Sequence, residues 1–130
     1  MNVGVIDAGV AVSWILRRPR SLARIDELFR RCRSADTTLV LSVVNLSEVL
    51  RHTAAITRGT GSDAVAMLRS TGVQLHQPDE AIARRVAELD TSLADGFAAG
   101  TALALRAHFH TTDNELIARL RGTRLVISRY

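Results

Sequence analysis

The sequence predicts a three-layer α/β/α domain with a central parallel β-sheet of about five strands flanked by helices, and three observations predict it. Short apolar or β-branched runs alternate with helical patterns from end to end. The first run, Val3-Gly4-Val5-Ile6, is a strand that ends in Asp7, followed by small residues able to turn into a helix. Finally, 130 residues that are 47% hydrophobic make one domain, 1–130, with a core of its own.

Each element has a local reason. Residues 11–16 are apolar enough for a short helix, and Pro19 opens a second, in which Leu22, Ile25, Leu28 and Phe29 recur at helical spacing as far as Ser34. Thr37 to Leu41 is β-branched and apolar, the mark of a buried strand, and Ser42 is placed to cap a helix running to about Thr57. Gly59-Thr60-Gly61 breaks the chain, Ser62 caps a further helix through Leu68, and residues 73–76 form a third strand. Pro78 starts a helix with Ile82, Val86 and Leu89 on one face. Residues 93–107 form a small-residue helix, expected to pack closely on the sheet, and lead into a fourth strand at 109–112. A helix over 115–120 and a strand over 125–128 finish the fold.

Composition narrows the function classes. All 17 basic residues are arginine, the formal net charge is +4 and the isoelectric point is near 10.9. That balance suits a polyanionic partner, which arginine grips with a bidentate fork. The single Cys32 cannot form an internal disulfide, so a reducing cytoplasmic setting is expected, and no segment of membrane-spanning length is free of charges. His108 and His110 share a strand face, but no cysteine pair or H-E-x-x-H helix accompanies them, which argues against zinc. No G-x-S-x-G elbow, P-loop or dinucleotide fingerprint occurs.

Four acids stand out by position. Asp7 ends the first strand, Glu48 lies in the helix after the second, Asp95 starts the small-residue helix and Asp113 ends the fourth strand. Parallel strands wound right-handedly bring such positions to one sheet edge, where open α/β sheets bind ligands. Each acid also has an ordinary reading. Glu48, on a helix face with Asn45 and His52, can be solvated, whereas Asp95 and Asp113 can serve helix N-termini. Asp7 is the hardest to dismiss, because a hydrophobic strand end is a costly place for a lone charge.

The stretches Val5-Ile6-Asp7-Ala8, Val44 to Leu50, Leu93 to Ala104 and His110-Thr111-Thr112-Asp113, in that order and spacing, resemble the PIN-domain family over essentially the whole chain. Among its members the chain is most similar to the VapC-type toxins of bacterial toxin–antitoxin pairs. The resemblance implies a metal-dependent endoribonuclease, cytoplasmic and homodimeric, whose small cognate antitoxin covers the site with a basic side chain. It makes Asp7, Glu48, Asp95 and Asp113 catalytic, with Asp7, Asp95 and Asp113 holding Mg2+ or Mn2+ and with Thr112 and Asn45 positioning the substrate. Such a metal polarises the scissile phosphate and helps generate hydroxide. Rim arginines, among them Arg17, Arg18, Arg51 and Arg84, would hold the RNA backbone. One departure stands: the family often carries a hydroxyl two places after the first aspartate, where this chain has Gly9. That glycine leans toward the alternative, a catalytically inactive PIN-like module that binds RNA or protein.

Overall fold

In the computed structural model, which describes residues 2–58 and 63–130, strands and helices alternate as β1 (Asn2–Ile6), α1 (Ala8–Ile15), α2 (Leu22–Arg33), β2 (Thr37–Ser42), α3 (Val43–Thr57), α4 (Ala64–Ser70), β3 (Gln74–His76), α5 (Glu80–Ala87), α6 (Leu93–Leu105), β4 (His108–Thr111), α7 (Asn114–Arg119) and β5 (Ile127–Arg129). The five strands form one fully parallel sheet in the order β3-β2-β1-β4-β5. The sequence reverses direction in the sheet at β1, so β1 is central and its carboxyl tip is the switch point where such sheets take ligands.

Both faces of the sheet are covered, which is why its strands read as continuous apolar runs. Ile6, Leu39 and Leu41 face a core shared with α1, α2, α3 and α4, centred on Phe29, which stacks on Trp14 at 4.2 Å between ring centroids. Val5, Val40 and Phe109 face the other way onto Ala98, Ala99 and Ala102 of α6 and Leu116 of α7. The small residues of α6 do two jobs. Its alanines lie on the sheet as expected, but a Cβ on Gly96 or Gly100 would stand 2.8 and 3.0 Å from Val86 of α5, so the glycines admit a helix and not a strand.

Several boundaries differ from the sequence expectation, among them α6, which ends at Leu105 and not at 107, and β5, which spans Ile127–Arg129 and not 125–128. The first helix starts at Ala8, because the Asp7 carboxylate accepts from the Val10 N–H at 2.9 Å and caps it at once. The second starts at Leu22 and not at Pro19, because Ser21 sits in the left-handed region at φ 56° and interrupts any helix through it. The fourth strand ends one residue early, at Thr111. Gly59-Thr60-Gly61 and the cap expected at Ser62 lie outside the described residues, and Asp63 caps α4 instead.

Candidate active site at the strand tips

Asp7 anchors the site. It follows β1, its backbone N–H donates to the His110 carbonyl at 3.1 Å, and only 5% of the residue is exposed. Its Oδ1 caps α1, and its Oδ2 accepts from the Thr111 hydroxyl. The Thr111 Oγ1 in turn accepts from the Asp113 N–H at 3.0 Å, so one hydroxyl at the tip of β4 ties two of the four acids together. Burial pushes the Asp7 carboxyl up to about 6, against the opposing pull of Thr111, Val10 and the Thr112 backbone, and the charge of Asp95 pushes it further. Asp95 therefore acts electrostatically on Asp7 although 88 residues of chain separate them.

The remaining acids combine ordinary and site positions. Asp113 caps α7, its Oδ1 accepting from Glu115 and Leu116 at 2.9 and 3.1 Å, and among the described residues its Oδ2 has no hydrogen-bond partner. Asp95 closes a reciprocal cap with Ser92: the Ser92 Oγ accepts from the Asp95 N–H at 3.2 Å and donates to its Oδ2 at 3.0 Å. Asn45 is buried in α3, and its Nδ2 donates to the Ala94 carbonyl at 2.9 Å, fixing α3 against the start of α6 one residue before Asp95. Glu48, one turn further along α3, is exposed, stands 3.8 Å from His52, and among the described residues has no hydrogen bond to the other acids.

A metal has partial accommodation here. Among the described residues no three His, Cys, Asp or Glu side chains form a group able to hold a metal ion. Magnesium needs less than a cage, since it is commonly held by one or two carboxylates and keeps several waters. Asp7, buried, and Asp95, partly buried, are the carboxylates that could supply such a hold, and among the described residues the Asn45 Oδ1 is a buried oxygen without a hydrogen-bond partner.

Thr111 is the residue that sequence reasoning missed. The resemblance names Thr112 as a substrate-positioning hydroxyl, and the hydroxyl that donates to Asp7 is that of Thr111, the last residue of β4. Thr112 has a different place. A Cβ built on Gly9 would lie 2.2 Å from the Thr112 Oγ1 and 3.4 Å from the Asp7 Oδ1. The volume that a side chain at position 9 would fill is thus already occupied by a hydroxyl, delivered from the end of β4. Of the rim arginines, Arg17 is held bidentately by Asp26 at 2.7 and 2.9 Å and Arg84 pairs with Glu80 at 3.0 Å, whereas Arg18 and Arg51 make no ion pair among the described residues.

No family model and no curated protein matches the sequence. Solved structures do. The chain is similar to a toxin–antitoxin complex from Klebsiella pneumoniae, with a TM-score of 0.71 at 14% identity over 98% of both chains. It is similar to VapBC2 from Rickettsia felis bound to a promoter DNA fragment, at 0.69 and 17% over 98% of both chains. It is also similar to VapC20 of Mycobacterium tuberculosis, a toxin that cleaves the sarcin–ricin loop, at 0.60 and 14% over 88% of this chain and 93% of that one. At these identities the likeness establishes a shared fold, that of the VapC-type PIN domains.

Proposed function

We propose that this PIN-fold chain is a metal-dependent endoribonuclease and the toxin of a toxin–antitoxin pair. The observation that carries the reading is Asp7: a carboxylate 5% exposed at the switch point of a parallel sheet, gripped by Thr111 and within the field of Asp95. A fold that needed only a helix cap there could use serine or asparagine without the cost of a buried charge. Asp7, Asp95 and Asp113 are the residues proposed to hold Mg2+ or Mn2+, which when bound would polarise the scissile phosphate and lower the pKa of an attacking water. The chain's own part is to hold those carboxylates in place. Thr111 fixes the Asp7 rotamer, the Ser92 cap fixes Asp95, and the helix cap holds Asp113 through its Oδ1 alone among the described residues.

Glu48 and Arg51, exposed on the same helix as Asn45, would meet substrate from the rim, Glu48 as a general base and Arg51 on a phosphate. Thr112 and Asn45 complete the proposed positioning set. The Klebsiella and Rickettsia structures are complexes, and a small antitoxin is the proposed partner of this chain also, bringing a cationic side chain to the carboxylates. Val43, Leu50 and Ile56 on α3 and Leu93 at the start of α6 are exposed apolar residues that an antitoxin or a second copy in a homodimer would cover.

The test is RNA cleavage by purified protein in manganese or magnesium against EDTA, with thermal midpoints recorded in the same buffers. Wild type should cleave only with metal and gain stability from it. Asp7→Asn should fold, lose cleavage by at least about a hundredfold, a loss typical of removing one electrostatic contributor, and lose most of the metal-dependent gain. Cleavage by Asp7→Asn at the wild-type rate would refute the site.

A further inference from the structure

Away from the four acids, the structure contains a concave region. A hollow of about 1260 Å3 runs along the face of β1, β4 and β5, between α2 and the C-terminal end of α6. Five arginines line it: Arg24 and Arg31 from α2, Arg85 from α5, Arg106 from the end of α6, and Arg124 ahead of β5. None of the five makes an ion pair among the described residues, although Arg17, Arg30, Arg84 and Arg119 elsewhere all do. Glu27 is the one carboxylate in the lining, and it is taken by Arg30 at 2.6 Å. Glu27 also feels the charge of Arg31, but with five arginines to one glutamate the hollow concentrates positive charge.

Its floor is polar and ordered. His108 and His110 stack with ring centroids 4.8 Å apart, the His108 Nε2 meets the Ser128 Oγ at 2.7 Å, and the His110 Nδ1 meets the Tyr130 hydroxyl at 2.9 Å. Arg24 lies 4.6 Å above the Tyr130 ring, donates to the Arg129 carbonyl at 2.7 Å, and is held in place by both contacts. The buried His110 keeps its Nε2 without a hydrogen-bond partner among the described residues, above Gly4, where a Cβ would come within 2.7 Å of that nitrogen. A strand glycine thus keeps open the space that the ring occupies.

We propose that this hollow binds the phosphate backbone of a single-stranded nucleic acid, at a site separate from the acidic one. Cations on both walls suit several successive phosphates better than one, and the volume exceeds that of an ordinary small-ligand pocket. Contacts of this kind read charge and shape, so binding should be strongly salt-dependent and tolerant of sequence.

The experiment uses the full chain carrying Asp7→Asn, in EDTA, so that neither cleavage nor metal contributes. Fluorescence anisotropy of a labelled 12-nucleotide single-stranded RNA is measured for that protein, for the same protein with Arg31→Gln, Arg85→Gln and Arg124→Gln, and for a control with Arg33→Gln, Arg58→Gln and Arg69→Gln, exposed arginines outside the hollow, which removes equal charge from other surfaces. The hollow variant should weaken binding at least tenfold, and its dependence of log affinity on log salt should fall by about 2, at about 0.7 for each phosphate that is no longer neutralised. The control should bind nearly as the parent does. Equal losses in both triple variants would mean that net charge alone is responsible and would overturn the site. Displacement of the RNA by tripolyphosphate at stoichiometric concentration would overturn it in favour of a small phosphorylated ligand. Should the hollow variant fold poorly, the ring resonances of His108 and His110 in the Asp7→Asn protein give a second readout, and RNA that leaves them unmoved contradicts the proposal. Because Asp7→Asn abolishes the proposed nuclease and leaves the hollow intact, either conclusion can fail without the other.

Discussion

At the scale of single residues, the site is decided by which hydroxyl reaches which carboxylate. Thr111 donates to Asp7, and Thr112 places its Oγ1 where a side chain at position 9 would be. Gly9 and Thr112 are therefore mutually exclusive with any larger pair. Gly9→Ser alone should force the Thr112 hydroxyl out and cost about 1 to 3 kcal/mol, the usual penalty for overpacking a filled space. Gly9→Ser with Thr112→Gly should recover most of that loss, because the new hydroxyl enters the space that the old one leaves. Thermal denaturation of the two single variants and the double variant gives the coupling as a double-mutant cycle, and simple additivity would show that the two positions do not compete. Thr111→Val should behave differently, removing the donor to a buried carboxylate and pushing the Asp7 pKa higher still.

At the scale of elements, three of the four acids stand at helix starts, Glu48 lying a turn inside α3, and that shared position explains why the sequence could indicate them but not separate their roles. Asp7 and Asp113 are N-caps, and Asp95 answers its own N-cap, Ser92. The pattern of a strand, an acid and then a helix was legible because side-chain periodicity switches from two to 3.6 at each point. The parallel sheet followed from alternation alone, whereas the strand order β3-β2-β1-β4-β5 came only from the structure. What was not legible was the final residue of β4, since Thr111-Thr112 is a doublet of equal β propensity and only pairing with β1 and β5 ends the strand. The hollow was hidden for another reason: Arg24, Arg31, Arg85, Arg106 and Arg124 have no spacing in common, and only the fold brings them together. The double duty of Asp113 gives a prediction. Asp113→Asn keeps a capping oxygen and should hold the metal-free midpoint close to wild type, whereas Asp113→Ala loses the cap and about 1 kcal/mol. Both should lose the manganese-dependent rise in midpoint and RNA cleavage. Stability that tracks activity across the two variants would mean that Asp113 is a cap and nothing more.

At the scale of the whole molecule, the sheet carries opposite perturbations on its two sides of β1. Burial raises Asp7 from 3.8 to about 6 and, with the charges of His108 and Arg31 behind it, lowers His110 from 6.5 to about 4. The signs oppose. Between about pH 4 and 6 the folded protein keeps a proton on Asp7 that the unfolded chain has released, so this group stabilises the fold at acid pH and loses that contribution as pH rises through 6. Over nearly the same interval the unfolded chain protonates a histidine that the fold keeps neutral, so His110 destabilises the fold progressively as pH falls from 6.5 toward 4. His108, lowered by its own burial, adds to the histidine side. In EDTA, Asp7→Asn should therefore steepen the loss of midpoint on acidification relative to wild type, and His110→Gln should flatten or reverse it. Midpoints at half-unit steps from pH 4 to 7 decide the matter, and parallel curves for all three proteins would mean that neither group titrates inside the fold as its burial dictates.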